Sequence, residues 1–333
     1  MTIDFKHRQY AHCESGAIAS LLQHRGVEIS EALAFGIGGG LFFGYLPFIK
    51  LNQLPLITYR KGPGDIFKSA TKRLGVGVER FRFRSPEKAM AALDRALDQG
   101  IPVGVQTSVY WLPYLPPALR FHFNAHNLVV YGKQGDDYLV SDPVMDEAVL
   151  CPAADLQRAR FAEGDLAPKG RMYYLGGIPE QLEMKPAVVK GINEVCRSMV
   201  RNPIPLLGVK GIRRLARVIE GWPQKLGQRK SLQHLGHVIR MQEEIGTGGG
   251  GFRFMYSAFL QEAAGITGDA RFAELAVRMT DGGDRWREFA LLGARVCKRR
   301  PGTENAFPQL ANLLRDCADH EEQVFRDLAR VLR

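Results

Sequence analysis

The hydrophobic period of this chain changes once, near residue 185, and that change constrains the fold more than any other feature. Beyond it the apolar segments repeat at helical spacing, from IRRLARVIEGW and SLQHLGHVIRMQEE to DRWREFALLGARVCKR and the closing QVFRDLARVL. Before it, VERFRFR (78–84), IPVGVQTSVYW (101–111), HNLVVYG (126–132), YLVSDP (138–143) and RMYYLGG (171–177) read as strands, as does LITYR (56–60). Helices are expected over 14–25, in a short stretch begun by Ser30, over 64–75, and over 85–100. The last has Ser85 as cap, Pro86 at the first position and Gly100 as stop. HNLVVYG and YLVSDP, joined by KQGDD, predict a hairpin. This order predicts an α+β domain with a mainly antiparallel sheet over 1–180. A linker near 178–186 and an all-α domain over 185–333 follow.

Charge marks the same division. The net charge is +10. Residues 185–240 hold twelve Lys and Arg against two Glu, while the rest of the chain balances at 33 against 33. A segment of this kind attracts an acidic partner or presents a solvated helix face. One stretch imitates a membrane span: ALAFGIGGGLFFGYLPFI (32–49) is uncharged, but five of its 18 residues are glycine and one is proline. Each glycine inside a helix costs roughly 1 kcal/mol relative to alanine, so this stretch reads as buried loop and turn. The N-terminal MTIDFKHRQY lacks a signal-peptide core, and the five cysteines form no CxxC pair. A reducing, cytoplasmic setting is the expectation.

Cys13 stands where a helix begins, in YAHCESGAI. Serine or aspartate would cap better there, but backbone N–H groups and the helix dipole at such a position stabilise a thiolate. A thiol nucleophile needs a base, and the base needs an orienting acceptor. His126 opens one strand of the predicted hairpin and Asp142 ends the other, so pairing of the strands brings them together. A helix-start Cys, a strand-start His and an Asp at the next strand's end form the order of a papain-like thiol enzyme. The alternative is a buried structural cysteine, with Asp142 starting a turn at Asp142–Pro143.

His122 is a rival base or a pocket wall. Its spacing to His126 would suit a metal on a helix, but the segment looks extended and no third ligand is spaced to join them. His7 and His12 read as local hydrogen-bonding residues. Gln9 is the nearest Gln before Cys13, leaving the Cys13 backbone N–H as the expected oxyanion donor. A second glycine run, GTGGGGF (246–252), formally matches GxGxxG, but a helix rather than a strand precedes it. Opening a helix, it can offer N–H groups to an anion, with Arg253 adding charge; otherwise it is a flexible turn. Gly38, Gly39, His122, Gly248, Gly249 and Arg253 are the candidate substrate-binding residues.

HCESGAIASLLQHRGVEISEALAFGIGGGLFF, with HNLVVYG and SDP downstream, resembles the butirosin biosynthesis protein H family over about 5–180. GTGGGGFRFMYSAFLQEAA resembles the helical domain often fused to it. The resemblance implies a papain-like acyltransferase without a cofactor of its own, the substrate's phosphopantetheine being carried by an acyl carrier protein. Cys13 would form the acyl-enzyme, His126 would activate Cys13 and deprotonate an amine acceptor, and Asp142 would orient His126. An acidic carrier protein would suit the basic segment 185–240. Two other readings stay open. One is a thiol hydrolase using the same three residues. The other is a non-catalytic module for an acidic partner, although no nucleic-acid motif is present.

Overall fold

A computed structural model of the chain describes residues 2–51 and 53–333. Its first half runs α1 (Cys13–His24), α2 (Glu31–Ile37), β1 (Leu41–Leu51), β2 (Leu54–Arg60), α3 (Asp65–Arg73), β3 (Val78–Phe81), α4 (Pro86–Asp98), β4 (Val103–Thr107), β5 (His126–Gln134), β6 (Asp137–Ser141), β7 (Val149–Pro152), α5 (Ala153–Arg160) and β8 (Met172–Leu175). Helices alone follow: α6 (Met184–Val200), α7 (Gly208–Glu220), α8 (Trp222–Glu243), α9 (Arg253–Thr267), α10 (Arg271–Cys297) and α11 (Phe307–Val331). This is the α+β-then-all-α order read from the periodicity.

The chain forms two compact units, Met1–Ala34 with Thr71–Leu182, and Phe35–Ala70 with Glu183–Arg333. The first is built on a six-stranded sheet of order β3-β8-β4-β5-β6-β7, antiparallel throughout. β5 and β6 are the expected hairpin, turning through Gly135, which takes φ +62°. β5 is buried on both faces. Leu128 and Val130 join Leu93, Val103, Val105, Val140 and Leu156 in one core cluster, while α1 packs against the same strand. α1 carries Ala17, Ile18, Leu21 and Leu22 at 0–1% exposure. α4 begins as its sequence dictates, with Ser85 Oγ accepting the Lys88 N–H at 3.2 Å.

The second unit corrects the division at 180–185, since residues 35–70 group with the helices. The apolar stretch 32–49 is not loop but the end of α2, a turn at 38–40 and strand β1, which pairs antiparallel with β2. β1 carries apolar residues on both faces. It finds partners in the helical unit, where Tyr45 N–H donates to Leu206 O at 3.0 Å and Gly44 bridges Leu207. Among the described residues no helix is long and apolar enough to cross a membrane.

Candidate active site

His12 answers why Cys13 does not cap its own helix. His12 is the N-cap, in extended backbone (φ −120°, ψ 122°), and its Nδ1 accepts the Ser15 N–H at 3.3 Å. Its own backbone N–H donates to Glu31 Oε1 at 2.6 Å, and the Ala11 N–H donates to Glu31 Oε2 at 3.1 Å. Glu31, at the start of α2, thus grips the two residues before the cysteine. Burial raises its pKa, against the hydrogen bonds it accepts. With the cap supplied by a neighbour, Cys13 occupies the first helical position, its side chain 7% exposed.

His126 sits at the first position of β5, opposite Thr107 of β4, and Asp142 directly follows β6. The hairpin brings them together: His126 Nε2 lies 2.8 Å from Asp142 Oδ2, with His126 4% and Asp142 0% exposed. With Nε2 engaged, Nδ1 is the other ring nitrogen, and Cys13 is among the groups that raise the pKa of the ring. Burial alone would push the His126 pKa down. The Asp142 carboxylate and its hydrogen bond, reinforced by Cys13, outweigh that and raise it to about 10. The remaining cysteines are also free, but burial pushes Cys151 and Cys196 up to about 12 and raises Cys297 and Cys317. Those four stay neutral thiols.

Asp142 is held by more than His126. Its Oδ1 accepts the Val144 N–H at 3.1 Å, and its Oδ2 also accepts the Tyr114 hydroxyl at 2.8 Å. His7 braces the same corner, its Nδ1 2.8 Å from Ser141 Oγ and its Nε2 3.1 Å from Met145 O. His7, expected to bond locally, instead bonds Ser141 and Met145 far along the chain, and the Tyr114 contact carries no sequence signal. No spacing rule finds a hydroxyl delivered from the irregular segment between β4 and β5.

His122 is exposed in non-helical backbone and stacks on Tyr110, ring centroids 4.2 Å apart, so it forms no helical pair with His126. Gln9 reaches Val144 O at 3.5 Å. Gly38, Gly39, Gly248, Gly249 and Arg253 belong to the second unit. Gly39 takes φ +64° in the turn that ends α2. Gly248, Gly249, Gly250 and Gly251 all have positive φ, from 56° to 85°, which explains a run longer than a simple turn needs. A Cβ on Gly251 would lie 2.5 Å from the Tyr59 ring. Arg253 corrects the expectation of a free charge: it is fully buried, its Nε and Nη2 paired with Glu321 at 2.7 and 3.0 Å, its guanidinium 5.0 Å from the Trp286 ring centre. That arginine holds the helical unit together.

The basic segment forms a surface groove in the second unit. A cavity of about 440 Å³ is lined by Lys210, Arg213 and Arg217 of α7, Arg315 and Asp319 of α11, and Pro205. Arg213 pairs with Asp319 at 2.6 Å and Arg315 with Glu220 at 2.5 Å.

Among solved structures, one described as a C39-like peptidase from Bacillus anthracis is 17% identical, over 54% of this chain and 98% of its own, with a TM-score of 0.37. No curated protein matches. Residues 12–143, which contain Cys13, His126 and Asp142, match the family described as butirosin biosynthesis protein H, N-terminal. Residues 154–328, more than half of the chain, match the family described as Domain of unknown function (DUF4872), and to that family the chain belongs.

Proposed function

We propose that the protein is a papain-like cysteine acyltransferase that takes an acyl group from a carrier-protein thioester onto Cys13 and hands it to an amine. The observation that carries this reading is the buried His126–Asp142 pair, in the same matched segment as Cys13 at the start of α1, where the butirosin biosynthesis protein H N-terminal family model falls.

In the first half-reaction the Cys13 thiolate attacks the thioester carbonyl. The tetrahedral adduct expels the carrier's thiolate, which takes the proton from His126 Nδ1 and leaves acyl-Cys13. In the second, an amine attacks that thioester. His126 accepts the amine proton, Cys13 leaves as thiolate, and an amide is released with the imidazolium–thiolate pair restored. Asp142 holds the ring through Nε2 in both halves. The low exposure of Cys13 and His126 supports aminolysis over hydrolysis, because water near the acyl-enzyme is restricted. The basic groove of α7 and α11 supports an acidic carrier protein as donor. The protein's own residues perform the chemistry, with phosphopantetheine arriving as part of the substrate.

Intact-mass spectrometry after incubation with short-chain acyl carrier thioesters and with N-acetylcysteamine thioesters tests the reading. One acyl adduct is expected on the wild type and none on Cys13→Ala. Equal loading of the two would overturn the assignment of Cys13. Rapid loss of the adduct without amine would identify a thiol hydrolase instead.

A further inference from the structure

Asp142 Oδ2 is shared. One carboxylate oxygen accepts both His126 Nε2–H and the Tyr114 hydroxyl, each at 2.8 Å. Tyr114 arrives from the segment between β4 and β5, which leaves the sheet at Thr107 and returns at His126, opposite it in register. The segment is pinned on both sides of the tyrosine by Leu112 and Leu115, 0% and 2% exposed and part of the sheet's core cluster. The hydroxyl is therefore delivered by packing and is not a loose surface contact. Burial first, and then the adjacent carboxylate, raise the Tyr114 pKa well above its ordinary value, so it remains a donor throughout the working range.

We propose that Tyr114 is a positioning residue of this site, drawing off part of the charge on the Asp142 oxygen that holds His126 and so setting how tightly the imidazole keeps its proton. A hydrogen bond to a charged acceptor is stronger than one between neutral groups. Two donors on one oxygen divide the negative charge that either would otherwise feel. With Tyr114 in place the imidazolium is stabilised less, which leaves the ring able to release its proton to the departing carrier thiolate. Asp142 and Cys13 act on the ring directly. Behind Asp142, Tyr114 and Cys151 of β7 face the carboxylate, and Cys151 stays neutral. Thr107 and Asn127 beside His126 are uncharged, and His7 is directed to Ser141 and Met145.

The role rests on reading Cys13 and His126 as nucleophile and base, which acyl loading decides separately. The test is independent of it. In a Cys13→Ala background, which removes the sulfur's upward push on His126, histidine-selective NMR follows the His126 ring against pH. Adding Tyr114→Phe is expected to raise the titration midpoint by about half a unit. Replacing Tyr114 with 3-fluorotyrosine, a stronger donor of nearly the same shape, is expected to lower it. Ser141→Ala, which disturbs the same corner without touching the carboxylate, leaves it in place. Opposite shifts cannot come from simple loosening of the fold. A midpoint that does not move in these directions with the donor's strength overturns the proposal, and the fluorotyrosine arm decides it alone should the Phe variant not fold.

Discussion

His126 binds its proton more tightly in the folded chain, where its pKa is about 10, than in the unfolded chain near 6.5. The group therefore stabilises the fold fully below about pH 6.5, and the contribution disappears as pH rises through about 10. Urea unfolding of wild type and His126→Gln should show their largest separation in acid to neutral solution, narrowing between pH 7 and 10. A separation that widened with pH would contradict the Asp142 pairing. Cys13, His126 and Asp142 were legible in the sequence because each occupies a boundary that secondary structure fixes: a helix start, a strand start and a strand end. Tyr114 was not, since its segment has no period and its contact arises only once Leu112 and Leu115 are buried. Arg253 misled because a cation beside glycines looks solvent-facing until Glu321, far along the chain, is brought to it.

At the scale of elements, α1 depends on α2 for its geometry. Glu31→Ala would leave the Ala11 and His12 N–H groups without their shared acceptor, at a cost of about 1–3 kcal/mol. Thermal unfolding checks the stability, and the rate of Cys13 acylation checks the helix start. Slower loading with an otherwise folded protein is expected. The glycine run makes a second case. Gly251→Ala adds a Cβ at φ +58° and 2.5 Å from the Tyr59 ring, a left-handed penalty plus overpacking of about 2–4 kcal/mol together. A fall in urea midpoint is expected; an unchanged midpoint would return the run to the status of a flexible turn. Most helices were readable from their spacing and caps. β1 was not, because a strand apolar on both faces carries neither period, and its assignment waits on the helices that bury it.

Across the whole molecule, charge is concentrated while the remainder is balanced, so association with an acidic carrier should be screened by salt. Raising ionic strength from about 0.05 to 0.3 M should increase KM for a carrier-bound thioester several-fold and leave loading from N-acetylcysteamine thioesters unchanged. Arg217→Glu, on the groove wall, should reproduce the effect at low salt. Equal salt responses for both donors would remove the groove from the reading. The period change near 185 showed that two kinds of structure exist in the chain. It could not show that residues 35–70 belong to the later one, because grouping is decided by contacts made between distant segments.

That grouping has a consequence for biosynthesis. The ribosome releases β1 and β2 long before the α6–α7 connection and α8, which later supply the Leu206 carbonyl to Tyr45 and His237 to the Pro55 carbonyl. Until then a mostly apolar hairpin lacks the helical surface that later covers it, at a stage when chains are most prone to aggregate. A nascent chain stalled at residue 182 should recruit a chaperone through this hairpin. Expressing the first 182 residues alone should yield insoluble material unless 35–70 are replaced by a short polar linker.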